Sequence, residues 1–222
     1  MPNITPTTTL SMVLSQKVPI YITNEEVKLI LEEIKKDIDK AKTKGQKKKL
    51  QTYRRMYLFV EGLFQLGARV SELLSITPSH INRLEKTIRL PNLKRRKKRP
   101  QGRTPKDFVP YQERIVPITD KFRADLVEYC LDYGIRPDQK IFPFSRIQAF
   151  KIIRKYGKKA GIDERKLHPH AFRHGFAVHC IRNRVPLTVV QEWLGHYSVL
   201  NTTIYTKITQ IDNRDFFEQV EW

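Results

Sequence analysis

Apolar residues at Val27, Leu31, Ile34, Ile38 and Ala41 recur at helical spacing. They follow Thr23-Asn24-Glu25-Glu26, where the threonine oxygen and the Glu26 carboxylate can satisfy free helix-start donors reciprocally. The pattern predicts a helix with one buried face. A basic linker, Thr43 to Lys49 around Gly45, leads to a second helix predicted from about Leu50 to Leu66, with Tyr53, Tyr57, Val60 and Phe64 inward. Gly67 breaks it, and a short helix resumes through Val70, Leu73 and Leu74. The period then changes. Thr87 to Leu90 and Arg114 to Ile118 are short, β-branched and bounded by turn residues, which predicts the two strands of a hairpin. Helical spacing returns over Lys121 to Tyr133, Arg146 to Ala160, His170 to Asn183 and Leu187 to Leu194. The fold class expected is α+β, mostly helical, with a small antiparallel sheet. Residues 1–17, rich in Thr and Pro, are expected to form a flexible stub, and 211–222 an amphipathic tail carrying Phe216, Phe217, Val220 and Trp222.

Charge changes the picture more than any other bulk property. The 222 residues hold 42 basic and 23 acidic side chains, a net charge of +19. Self-repulsion of that size opposes folding and points to a polyanionic partner. It leaves DNA, RNA and a ribosomal site open. The connector of the predicted hairpin, Pro91 to Glu113, is long for its kind. Its stretch Lys94 to Lys106 contains eight basic residues and no acidic one. Cys130 and Cys180 are too few and too far apart for a disulfide framework and read as buried thiols. No basic n-region with an apolar run opens the chain, and no stretch has the length of a membrane span, so a cytoplasmic protein is expected.

Four of the six histidines lie between His168 and His179. His170 and His174, at i and i+4, invite a zinc reading, but Ala171 stands where a zinc protease needs its Glu, and no acidic residue lies in the segment. No metal is expected. His170 and Arg173, at i and i+3, share a helix face on which an imidazole and a guanidinium can converge on one phosphate. Arg69 follows the Gly67 break, with Glu72 at i+3 placed to hold its guanidinium. In Trp193-Leu194-Gly195-His196 the glycine marks a helix end that leaves His196 facing outward. Tyr205 follows nine residues later among small polar residues.

Singly these are weak signals; in order they resemble the tyrosine recombinase (phage integrase) family. The blocks are Gly67-x-Arg69-x-Ser71-Glu72-Leu73, His170-x-x-Arg173-His174, Leu194-Gly195-His196 and Tyr205. The resemblance spans about residues 18–210, the family's catalytic domain. It implies an enzyme that cleaves and rejoins double-stranded DNA through a 3′-phosphotyrosyl bond, with no cofactor. Tyr205 would be the nucleophile, Arg69 and Arg173 the phosphate clamp, His170 the proton acceptor and His196 a hydrogen-bond donor to the phosphate. The family's general acid is a hairpin lysine. Lys94 sits at about the right distance past the first strand, with Lys97 and Lys98 as alternatives. Together with Arg95, Arg96, Arg99 and Arg103 those lysines would contact DNA. The family also implies a homo-oligomer, a tetramer, on DNA, in which the tail would pack on a neighbouring subunit; folding back on its own core is the alternative. Seventeen leading residues are too few for the family's N-terminal DNA clamp, so the chain either resembles the short recombinases lacking it or is a catalytic-domain fragment. A type IB topoisomerase-like enzyme and an inactive basic DNA-binding protein are the competing readings.

Overall fold

The computed structural model describes residues 19–91 and 113–195. Helix α1 (Asn24–Thr43) opens with the reciprocal cap. The Thr23 hydroxyl accepts from the Glu26 amide at 3.2 Å, and Glu26 Oε2 accepts from the Thr23 amide at 2.8 Å. It buries Val27, Ile30, Leu31, Ile34 and Ala41, chiefly against α2 (Lys47–Gln65). The linker between them is shorter than the sequence predicts, because α2 begins three residues before Leu50. Every residue of α2 from Leu58 to Phe64 is buried. Tyr53 and Tyr57 stay partly exposed, so only the second half of this helix is central. A short helix, α3 (Val70–Leu73), follows the Gly67 turn.

A three-stranded antiparallel sheet comes next, β1 (Ile81–Asn82), β2 (Thr87–Leu90) and β3 (Arg114–Pro117), in that spatial order. The predicted pair β2–β3 is present, with Ile88 opposite Val116 and Leu90 opposite Arg114. Strand β1 was not expected: two residues are too few to show alternation, and pairing with Ile88 and Thr87 alone defines them. Ile88, Leu90, Arg114 and Val116 face inward, while Arg89, Ile115 and Pro117 face solvent.

The remaining helices are α4 (Asp120–Asp132), α5 (Arg146–Lys159), α6 (Pro169–Arg182) and α7 (Leu187–Leu194). Their starts are capped by Thr119 on Phe122, Ser145 on Gln148 and His168 on Ala171. Helix α6 packs on α1, α2 and α7 and has ten buried positions, spread around its circumference. Only His170, His179 and Arg182 are exposed, so most of this helix lies inside the protein. Its first turns face the main core through Phe172, and its later turns form a second cluster with Val190 and Leu194 of α7. Trp193 touches both clusters. Among the described residues no helix is long and apolar enough to cross a membrane.

Gly175 lets α6 sit against the incoming chain. The Ile22 amide donates to the Ala171 carbonyl at 3.2 Å, and a Cβ on Gly175 would lie 2.1 Å from the Ile22 carbonyl oxygen. Backbone cannot move aside as a side chain can. Gly175→Ala is therefore expected to lower stability by about 2–3 kcal/mol, overpacking outweighing alanine's better helix propensity. Urea denaturation checks this: the midpoint should fall with an unchanged m-value.

Candidate active site

The site is assembled where α2 stops. Gly67 takes φ +52°, a left-handed conformation that suits glycine, and a Cβ there would come within 2.3 Å of the Phe176 ring. The turn thus lies directly on α6, and its carbonyl accepts from Arg173 Nη1 at 2.7 Å. Arg69, two residues on, donates from Nη1 to Glu72 Oε1 at 2.6 Å and from its backbone amide to Glu72 Oε2 at 2.8 Å. Its side chain is 16% exposed and Glu72 is fully buried.

A second arginine completes the surroundings of Glu72. Arg114, the first residue of β3, donates from Nη2 to Glu72 Oε2 at 2.7 Å and from Nε to the Trp193 carbonyl at 2.6 Å. Arg173 donates from Nη2 to the next carbonyl, Leu194, also at 2.6 Å. The last four carbonyls of a helix have no partner within it. In α7 the Gly195 amide takes those of Gln191 and Glu192, and the two arginines take the remaining pair. Gly195 turns the chain at φ +63°, and His196 follows. Burial disfavours charge on Glu72. Hydrogen bonds and charge from Arg114, then Arg69, outweigh it and hold the carboxyl below its ordinary range.

His170 stands exposed in the first turn of α6, three residues from Arg173, with its ring 6.3 Å from that of His174. Burial, then the charges of His170, Arg173 and His168, push the His174 pKa down to about 4. His174 is therefore neutral at neutral pH. Between 6.5 and about 4 the unfolded chain takes up a proton that the folded site refuses, so this group weakens folding as pH falls through that window. His168 acts as a helix cap: its Nδ1 accepts from the Ala171 amide at 3.2 Å.

The structure therefore brings Gly67, Arg69, Glu72, Arg173 and the Leu194–Gly195 turn to one place. Lys94, Arg95, Arg96, Lys97, Lys98, Arg99, Arg103, His196 and Tyr205, with the tail residues Phe216, Phe217, Val220 and Trp222, lie outside the described residues. The ends of the basic connector are placed: Leu90 and Arg114, its flanking strand residues, are direct partners in the sheet beside Glu72.

The phage integrase family model matches residues 21–211. The chain belongs to the phage integrase family. It is 34% identical over 163 residues to the tyrosine recombinase XerD of Chlorobaculum tepidum, covering 72% of this chain and 50% of that one. A tyrosine recombinase of Pseudothermotoga lettingae is 31% identical over 166 residues, with 72% and 52% covered. The crystal structure of XerA recombinase superposes with a TM-score of 0.63 at 26% identity, covering all of this chain and 68% of that one. XerH, solved bound to a palindromic difH substrate, is alike in fold at a TM-score of 0.65 and 19% identity, with 91% and 54% covered. The integrase-family chain spans about half the length of the curated relatives it matches.

Chemically, this integrase-family site is a fixed pair of cationic forks. Arg173 is held by two carbonyls and Arg69 by a carboxylate, an arrangement whose permanent charge and fixed geometry suit a tetrahedral anion. Two features had no counterpart in the motif reading. One is Arg114. Its signal was parity, because it shares the inward face of β3 with Val116 and a charged residue at an inward strand position needs a partner. The other is the outer face of α5, where Arg146, Lys151, Arg154 and Lys158 are exposed and the helix contains no acidic residue. That sequence, read only for its apolar face, hid a second cationic surface.

Proposed function

We propose that this chain is the catalytic domain of a site-specific DNA recombinase that cleaves and rejoins double-stranded DNA through a 3′-phosphotyrosyl intermediate. One observation carries the reading furthest. Arg69 and Arg173, more than a hundred positions apart in sequence, are tied through the Gly67–Glu72 turn into one rigid clamp. It lies beside the helix end that leads to His196 and Tyr205.

In the proposed reaction the Tyr205 oxygen attacks the scissile phosphorus and its proton passes to His170. The tyrosyl–phosphorus bond forms as the phosphorus–O5′ bond breaks, and the departing O5′ takes a proton from Lys94, leaving a 5′-hydroxyl. Charge grows on the nonbridging oxygens meanwhile. Arg69 and Arg173 stabilise that growth with donors already in position, and His196 adds a hydrogen bond to it. A 5′-hydroxyl from a partner strand reverses the sequence. Because the phosphotyrosyl linkage conserves the bond energy, no nucleotide is consumed. Residues 94–106 and the α5 face supply cations for the DNA backbone, and recombination proceeds in a tetramer on paired sites.

The competing topoisomerase-like and inactive readings separate on supercoiled plasmids carrying two, one or no copies of an inverted-repeat site from DNA flanking the gene. The proposal predicts rearranged circles only from the two-site plasmid. Relaxation of all three plasmids without rearrangement would favour the topoisomerase-like reading. Binding without any strand breakage would favour the inactive one.

A further inference from the structure

Arg114 enters the site from a strand rather than from a motif, and its nitrogens have three different surroundings. Nη2 is bonded to Glu72, Nε to the Trp193 carbonyl, and Nη1 is buried without a hydrogen-bond partner among the described residues. The head of an arginine is planar, with its donors fixed relative to one another. Bonding through Nη2 and Nε at once therefore fixes the separation and angle between Glu72 and the last turn of α7. Each end of that bridge supports a phosphate-facing group. Glu72 holds Arg69 by side chain and backbone, and the turn after Trp193 holds Arg173 through the Leu194 carbonyl. Gly195 leaves space for the bridge, since a Cβ there would lie 3.1 Å from Arg114 Cδ. If stability were all that was needed, an apolar side chain would serve, because buried ion pairs seldom stabilise a fold more than apolar packing does.

We propose that Arg114 is a positioning residue for strand cleavage: it holds Arg69, through Glu72, at a fixed separation from the end of α7 and does not itself touch the phosphate. The inference rests on the recombinase reading above. A positioning error in Arg69 costs charge stabilisation at the scissile phosphate and little else. The defect should therefore disappear when the phosphate carries no charge, which a general loosening of the fold would not allow.

The test measures covalent adduct formation on nicked suicide DNA with an ordinary scissile phosphodiester and with a neutral methylphosphonate in its place. The proteins are the native chain, Arg114→Met, Arg114→Lys, Arg69→Ala and the double variant Arg69→Ala/Arg114→Met. Arg114→Lys retains the charge beside Glu72 but lacks the planar fork that fixes the two bonds relative to each other, so it serves where the methionine variant fails to fold. On the phosphodiester either Arg114 variant should slow cleavage about 10- to 100-fold, less than the loss of a direct donor, with DNA affinity within about twofold of native. On the methylphosphonate the loss should shrink to less than about threefold. In the Arg69→Ala background, removing Arg114 should add little, since the two act as one unit. Equal slowing on both substrates, a multiplicative loss in the double variant, or an Arg114→Lys protein as fast as native would overturn the proposal. A native chain that forms no adduct on either substrate would instead overturn the recombinase reading, and the role of Arg114 with it.

Discussion

Glu72→Ala is expected to lower the stability of the folded chain by about 3–5 kcal/mol at neutral pH, the usual cost of leaving a buried charge without its partner. Glu72 is fully buried between Arg69 and Arg114, and both carboxylate oxygens accept from them. Its loss leaves Arg114, 7% exposed, with a single carbonyl as its remaining acceptor among the described residues, and frees Arg69 from both of its bonds to the side chain at position 72. Two guanidinium groups would then face each other across a vacated site. Glu72→Gln, which keeps the shape and one acceptor oxygen, should cost less.

The pH dependence distinguishes this from simple loss of packing. The folded pKa of Glu72 lies below its ordinary value of 4.5. A depressed folded pKa means that the stability it contributes is fully present above the unfolded pKa and is lost as pH falls through the folded one. The gap between native and Glu72→Ala proteins should thus be wide at pH 7 and narrow progressively below about 4.5. Urea denaturation of both proteins from pH 7 to pH 3 measures it. A gap under about 1 kcal/mol at pH 7, or one unchanged with pH, would show that the two arginines do not depend on this carboxylate.

What could be read in the sequence follows from the range of each interaction. Helix α1 was legible because its cap and its stripe are local: Thr23, Glu26 and the apolar positions carry the whole signal within one segment. Strands β2 and β3 were legible from their β-branched runs, whereas β1 exists only through its partner. The deep burial of α6 could not be read from its period, since its ten buried positions are spread around the helix and leave no continuous polar face to contrast with. The placement of Arg69 by Glu72 was legible because an i, i+3 pair is fixed by helix geometry. The other partner of Glu72 was not, because Arg114 comes from 42 residues away and only the folded sheet brings it there. Likewise, nothing in the His170–Arg173 spacing said that Arg173 would be held by carbonyls from two other segments, Gly67 and Leu194. The motifs therefore named the charged groups, and the fold supplied what holds them.

The most direct test of the central claim is covalent capture with Tyr205→Phe. The substitution keeps the ring and removes only the attacking oxygen, so folding and DNA binding should survive. The native protein is mixed with a nicked duplex carrying a candidate site, in which the short strand released by cleavage diffuses away and prevents rejoining. Denaturing electrophoresis should then show a protein–DNA adduct with the native chain and none with Tyr205→Phe, although both shift the same DNA on a native gel. An adduct of undiminished yield with Tyr205→Phe, or none with a native chain that binds the site, would contradict the account.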